Sequence, residues 1–240
     1  MLYLIGLGLN LNSISQEGKS ILGKCKKIYL ENYTVDFPYS FEELEKVLGK
    51  KIISLGRKEV ESDFLIGEAK KENISLLVYG SPLFATTHST ILMDCAKNKV
   101  KTQVIYSASV FDAIAYSGLQ LYKFGKITSM PKWQKNFTPD SFMDIVRENI
   151  SIKAHSLILC DIGLSFGDVL SELEISAKNK KIKLDKIIVC SQLGTENAKV
   201  YYDTLENLKK IKEKVSLPFC IIIPSEMHFA EKEALENVAE

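Results

Sequence analysis

Short apolar runs rich in Ile, Val, Leu and Tyr recur along the first half of the chain, each followed by a stretch of helical periodicity. This alternation narrows the choice of fold more than any other feature. Runs buried on both faces and separated by helices build a parallel sheet through crossover connections. The spacing predicts strands near Leu2–Ile5, Lys27–Leu30, Lys51–Leu55, Leu76–Tyr79 and Gln103–Tyr106. Helices are expected over Ser15–Lys24, Phe41–Leu48, Glu59–Lys71 and Thr87–Lys97. Ser40-Phe41-Glu42-Glu43 has capping-box spacing, which marks a helix start.

The second half has a different texture. "GKITSMPKW" reads as a strand broken by Pro131, and Thr138-Pro139-Asp140 as an N-cap with Pro at the first helical position. "SLILCDIG", "KIIVCSQLG", "AKVYYDT" and "FCIIIP" read as strands, with helices from about Gly167 to Asn179, over Leu205–Lys214 and at the C-terminus. Several of these strands are close in sequence, which favours a mixed sheet. The division falls near Tyr116–Gly125, giving an N-terminal domain over 1–116 and a C-terminal domain over 117–240. The expected fold class is two α/β domains, the first with a mainly parallel sheet and the second with a mixed one.

Composition sets limits on function. A chain of 240 residues with 46% hydrophobic and 25% charged residues is that of an ordinary globular protein. Its 31 basic and 30 acidic residues leave a net charge of +1, so no global field recruits nucleic acid or an anionic membrane. "AKNKKIK" (177–183) is read as a solvated helix end and loop. The five cysteines (Cys25, Cys95, Cys160, Cys190, Cys220) are odd in number and never in C-x-x-C spacing. They read as small buried residues in a reducing cytosol rather than as a disulfide framework or zinc site. The first residues lack the basic flank and cleavage site of a signal peptide, and no apolar run reaches membrane-spanning length. A cytoplasmic location is expected.

Three stretches carry candidate chemistry. Gly6-Leu7-Gly8-Leu9 follows the first strand, where glycines let backbone approach a ligand at the carboxyl end of a parallel sheet. Leu11 occupies the third position of a dinucleotide fingerprint, while Glu31 mimics its ribose-binding acid. A tight turn with no ligand is the competing reading. "GSPLFATTHST" (80–90) is the second stretch: Pro82 stiffens the turn, and Thr86 or Thr87 is placed to cap the next helix. His88 reads as structural, since no partner is spaced for a metal. The third, "YSASVFDAIAYSGLQLYKFGK", opens a small-residue helix at Ser107-Ala108-Ser109, ends it at Gly118, and is followed by an aromatic strand. Small residues there suit contact with a ligand or close helix–sheet packing equally. His155 and His228 read as capping or surface residues, and no motif supplies a nucleophile or a metal site.

Together "MLYLIGLGL", "IYLENYT", "ATTHST", "SASVFDAIAYSGLQLYKFGK", "TPDSFMDIV" and "HSLILCDIG" resemble the diphthine synthase family. That family is the diphthamide-pathway branch of the tetrapyrrole-methylase-like enzymes that use S-adenosylmethionine. The resemblance runs in order from Met1 to about Gly163 and returns at "SQLG" and "PFCIII"; "GLQLYKFG" and "ATTH" are its specific parts. It implies a tetrapyrrole methylase-like fold with the cofactor in the interdomain cleft, S-adenosylhomocysteine as product, and a homodimer. The implied substrate is a histidine of elongation factor 2 carrying a 3-amino-3-carboxypropyl group, whose amine is methylated. Position by position, the implied cofactor contacts are Leu9, Ser81, Phe84, Ser109 and Val110, and then Cys160, Leu193 and Cys220.

The chain departs from the family pattern in three places, one of them a segment after Asp161 that is shorter than the family's. Gly80-Ser81-Pro82 stands where the family usually has Gly-Asp-Pro, and Pro218-Phe219-Cys220 where Pro-Leu-His is common. The competing functions are another methyltransferase of this class acting on a tetrapyrrole or RNA, a nicotinamide-dependent enzyme, and a family member that binds a partner without catalysis.

Overall fold

The computed structural model describes residues 1–240, which form two compact units, Met1–Val110 and Phe111–Glu240. The units divide slightly ahead of the position read from the sequence.

The first unit is built on five strands: β1 (Leu2–Gly6), β2 (Lys27–Glu31), β3 (Ile53–Leu55), β4 (Ile74–Val78) and β5 (Thr102–Ile105). They form one sheet in the order β3-β2-β4-β1-β5, and every pairing is parallel. β1 and β4 are buried at every position. Alternation along them sends Leu2, Leu4 and Leu76 to one core with Leu55, Leu65 and Cys95, and Tyr3, Ile5 and Leu77 to another with Ile21, Leu30 and Leu44. Each such Leu or Ile taken from water contributes about 1.5–3 kcal/mol. That is why these apolar runs become central strands.

Local chemistry trims the expected elements. The helix expected over Glu59–Lys71 is two helices, Arg57–Val60 and Phe64–Lys71. Ser62 parts them: its hydroxyl donates to Glu59 O (2.8 Å) and accepts from Phe64 N (3.2 Å), satisfying groups that a continuous helix would have paired. β3 starts at Ile53 because the Ile52 amide donates to Glu45 Oε1 at 2.8 Å instead of entering the sheet. Ser40 and Glu43 form the capping box expected for the Phe41–Leu48 helix.

The second unit carries β6 (Thr128–Met130), β7 (Ser156–Cys160), β8 (Ile187–Ser191), β9 (Lys199–Asp203) and β10 (Phe219–Ile223), in the order β6-β7-β10-β8-β9. β6 and β7 are parallel and the other pairs antiparallel, the mixed sheet expected. One face packs Met130, Ile158, Val189 and Ile221 against the helices Phe142–Ser151 and Phe166–Asn179. Register turns Leu157, Ile188, Cys190, Cys220 and Ile222 to the other face.

Three expectations fail in this unit, and the first is the helix over Leu205–Lys214, which ends at Lys210 with a separate 3-10 turn over Lys212–Lys214. The helix after Thr138-Pro139-Asp140 begins only at Phe142, because Pro139 O is taken by the Trp133 indole (3.1 Å) and residues 138–140 stay in the loop. The aromatic strand after Gly118 is a 3-10 turn, Leu121–Lys123, in which Lys123 N donates to Gln120 O (2.9 Å). No helix is long and apolar enough to cross a membrane.

Candidate functional site

In the first unit three strand ends converge at the carboxyl edge of the parallel sheet, where ligands of open α/β sheets bind. Gly8 and Gly80 exchange backbone hydrogen bonds, Gly80 N to Gly8 O at 2.9 Å and Gly8 N to Gly80 O at 3.2 Å. Both have φ of +70°, which glycine adopts without strain. This bridge locks the β1 turn to the β4 turn. A Cβ on Gly6 would meet Gly80 O at 2.6 Å and Ser107 Cβ at 2.9 Å, so the third strand end closes on the same point. Gly8 faces inward, since a Cβ there would lie 2.2 Å from Ser13 Cβ. Its smallness serves the packing of the turn, which is the ligand-free reading weighed for this stretch.

Leu9 and Ser81 flank that bridge. Leu9 is buried, and its carbonyl accepts from the Tyr79 hydroxyl at 3.0 Å. Ser81 is half-buried and opens a tight turn in which Phe84 N donates to Ser81 O at 3.2 Å. Ser109 is buried beside Gly80, whose added Cβ would lie 3.8 Å from Ser109 Cα, and Val110 follows half-buried. The structure therefore gathers Leu9, Ser81 and Ser109 around one edge, with Phe84 and Val110 one step further along their loops.

Neither threonine caps the following helix. Its N-cap is His88, with no side-chain cap, and Thr86 turns back: its hydroxyl donates to Pro82 O (3.2 Å) and accepts from His88 N (3.2 Å). His88 is 1% exposed, with Nδ1 2.9 Å from Pro82 O and Nε2 3.4 Å from Glu31 Oε2. Glu31 is equally buried and accepts from the Thr34 hydroxyl. The ribose role suggested for Glu31 thus gives way to a carboxylate turned inward onto His88. Burial pushes the His88 pKa down, but the hydrogen bond and charge of Glu31 outweigh it and raise it above the usual histidine value.

In the second unit the three implied contacts share one edge of the mixed sheet. Cys160 ends β7, Leu193 lies just past β8, and Cys220 sits near the start of antiparallel β10. Gln192 N donates to Pro218 O at 2.8 Å, which ties the Leu193 loop to the β10 entry. Cys220 faces Cys190 across the ladder, whereas Cys160 packs against the opposite core. Burial pushes the Cys160 thiol well up, and the hydrogen bond to Cys220 does the same for Cys190. These are thiols, not nucleophilic thiolates. Glu172, absent from the sequence reading, is buried at this edge: Trp133 N donates to its Oε1 (3.2 Å) and Oε2 has no partner. Burial raises its pKa.

"GLQLYKFG" has a structural role. Gln120 N donates to Glu231 Oε1 at 3.0 Å, Lys123 Nζ to Glu231 Oε2, and Gly118 at φ +85° lets Ala234 of the C-terminal helix pack against it. His155, expected at the surface, is fully buried and pairs with Glu231 Oε1 at 3.2 Å. His228 caps the C-terminal helix, as expected.

Known proteins share this architecture. The profile of the tetrapyrrole (corrin/porphyrin) methylases matches residues 1–209. Diphthine synthase of Methanocaldococcus jannaschii is 36% identical over 261 aligned residues, covering 100% of this chain and 99% of that one. Diphthine methyl ester synthase of Candida glabrata is 43% identical over 166 residues, 68% of this chain and 56% of that protein. A crystal structure of a diphthine synthase superposes with a TM-score of 0.88 at 31% identity, covering 99% of this chain and 95% of the other. With glycine turns bridged at the sheet edge and likeness along its full length, the chain belongs to the diphthine synthases of the tetrapyrrole methylase family.

Proposed function

We propose that the protein is an S-adenosylmethionine-dependent diphthine synthase. It methylates the amine of the 3-amino-3-carboxypropyl group on the modified histidine of elongation factor 2, in the cytoplasm and as a homodimer. The observation that carries this reading is the likeness to diphthine synthases along the whole chain. The bridged Gly8–Gly80 turns support it, since they leave Leu9, Ser81 and Ser109 at the edge where such a cofactor would lie. The family resemblance adds Phe84, Val110, Cys160, Leu193 and Cys220 to the contacts.

S-adenosylmethionine supplies an electrophilic methyl group on a sulfonium. The chain's part is to hold the amine in line with the methyl–sulfur bond and to keep water away, which alone supplies much of a methyl transfer's acceleration. The attacking amine must be neutral, so a proton leaves it before or after each transfer. Stiff turns hold such a geometry well. Pro82 is buried within a loop whose carbonyl is held by both Thr86 and His88.

The reading is tested by mass spectrometry of elongation factor 2 carrying the unmethylated intermediate, incubated with this protein and S-adenosylmethionine. Successive methyl increments on the modified histidine are expected; an unchanged mass rejects the reading. The likeness to a diphthine methyl ester synthase favours a second reading, in which the carboxylate is esterified as well. Mild base would then remove one methyl and leave the others.

A further inference from the structure

Pro82 O only accepts hydrogen bonds, so the hydrogen on His88 Nδ1 must point to it. A neutral ring would then present the bare lone pair of Nε2 to Glu31 Oε2, 3.4 Å away. Neither atom has another partner, and both residues are 99% buried. Two unpaired acceptors facing each other in a dry site are costly. One proton between them satisfies both at once. We propose that Glu31 and His88 are positioning residues for cofactor binding, a buried carboxylate–imidazolium pair whose single proton holds the Gly80–Phe84 turn in its binding shape. The inference rests on the functional reading above.

The surrounding charges agree with this assignment. Tyr33, next but one to Glu31 in sequence, is kept protonated, its pKa pushed up to about 12 by burial and by the charges of Glu31 and Glu61. Glu61 lies beyond the Arg57–Val60 helix and adds negative potential at His88, while Arg57 stands over the Tyr33 ring and 3.9 Å from Glu61. Against these, His88 sits at the N-terminus of the Ser89–Lys97 helix, where the dipole disfavours a cation. Retention of the proton therefore depends on Glu31. The chain of contacts to the ligand edge is short: Glu31 to His88, His88 to Pro82 O, and Pro82 beside Ser81.

Calorimetric titration with S-adenosylhomocysteine from about pH 6 to about pH 9 tests it. Wild-type affinity should fall about tenfold as the pair loses its proton. Glu31→Gln replaces the shared proton with an amide N–H donated to Nε2, so its affinity should match wild type at neutral pH and stay flat. His88→Asn, which keeps a donor near Pro82 O, should also be flat; His88→Leu should bind about tenfold more weakly at every pH. A wild-type pH profile that persists in Glu31→Gln overturns the proposal. Independently of any variant's folding, nitrogen-detected NMR of the wild type should show both His88 ring nitrogens protonated at neutral pH; hydrogen on Nδ1 alone overturns it. Wild type that fails to bind at any pH overturns the functional reading and this inference with it, whereas pH-independent wild-type binding overturns this inference alone.

Discussion

Each unit buries a histidine against a glutamate, and the two pairs settle their proton in opposite ways. In the second unit Glu231 is fully supplied with donors. Lys123 Nζ, Gln120 N and His228 N all point at it, so His155 needs to give only one neutral N–H from Nε2. Ser225 N donates to His155 Nδ1 at 2.9 Å and so requires a lone pair there. Burial pushes the His155 pKa below its usual value, the more so because Lys123 is near, and Glu231 does not reverse it. Burial alone would raise Glu231; Lys123, two backbone amides and His155 bring it down to about 2. In the first unit Glu31 has only Thr34 besides His88, and the imidazole must carry the charge. The lesson is that the donors already around a carboxylate, not its neighbouring histidine, decide where the proton rests.

The largest expected effect comes from removing a donor in the second unit. Lys123→Met strips the cation from a carboxylate with no exposed surface, and should cost about 3–5 kcal/mol in urea unfolding. Glu231 should then hold a proton to higher pH than in wild type, while Ser225 N keeps its hold on the His155 Nδ1 lone pair and the ring stays neutral. A His155 that becomes cationic in this variant would break the comparison.

The pH responses come next and have opposite signs. His88 has a raised folded pKa, so its contribution is complete below about 6.5 and is lost as pH rises through the folded value. His155 and Glu231 have lowered values. Their contribution is present above their unfolded pKa values and is lost as pH falls, first through His155 and then towards 2 for Glu231. Hydrogen exchange should show residues 80–90 loosening in mild alkali and residues 118–125 in acid, each by about 1–3 kcal/mol for the bonds left unmet. Loosening of both at the same end of the pH range would contradict the assignment.

Ser81→Asp sharpens the comparison further by placing a carboxylate on the turn that His88 braces. A charged acceptor in place of a neutral one should tighten S-adenosylmethionine binding by about 1–2 kcal/mol, read by calorimetry. Weaker binding with the fold intact would mean that the site has departed from the family's Gly-Asp-Pro arrangement. The smallest effect separates two helix caps of the same design. Ser40 and Glu43 form a capping box at the surface, whereas His228 and Glu231 form one whose glutamate is buried. Ser40→Ala should cost only about 1 kcal/mol in the urea midpoint, well below any loss from disturbing Glu231.

Much of the fold was legible without coordinates. "LYLIG" and "ISLLV" are continuous apolar runs, and residues of that kind at strand length have nowhere to go but the middle of a parallel sheet. The Phe41–Leu48 helix announced its start through the Ser40 box, and the structure ends it at Gly49 in the left-handed region. Elements were misread where a side chain overrode the backbone pattern: Ser62 cutting one helix into two, and Glu231 drawing Gln120 and Lys123 into a turn instead of a strand. The candidate site was legible as a set of strand ends, and Leu9, Ser81 and Ser109 do meet at one edge. Its charged brace was not, because Glu31 and His88 lie on different elements: Glu31 read as a ribose-binding acid, and His88 had no partner spaced near it in sequence.

By itself, then, the sequence determined the two α/β halves, the parallel and mixed sheets, and the turns that end their strands. These follow from periodicity and turn chemistry, which act over a few residues and are written in neighbouring positions. Only the tertiary structure decided that Gly8 pairs with Gly80, that Glu31 keeps a proton on His88, and that Glu231 leaves His155 neutral. Those outcomes depend on strand order and register, which bring distant residues within hydrogen-bond reach. They also depend on burial, which makes each unmet donor or acceptor costly enough to fix where a proton sits.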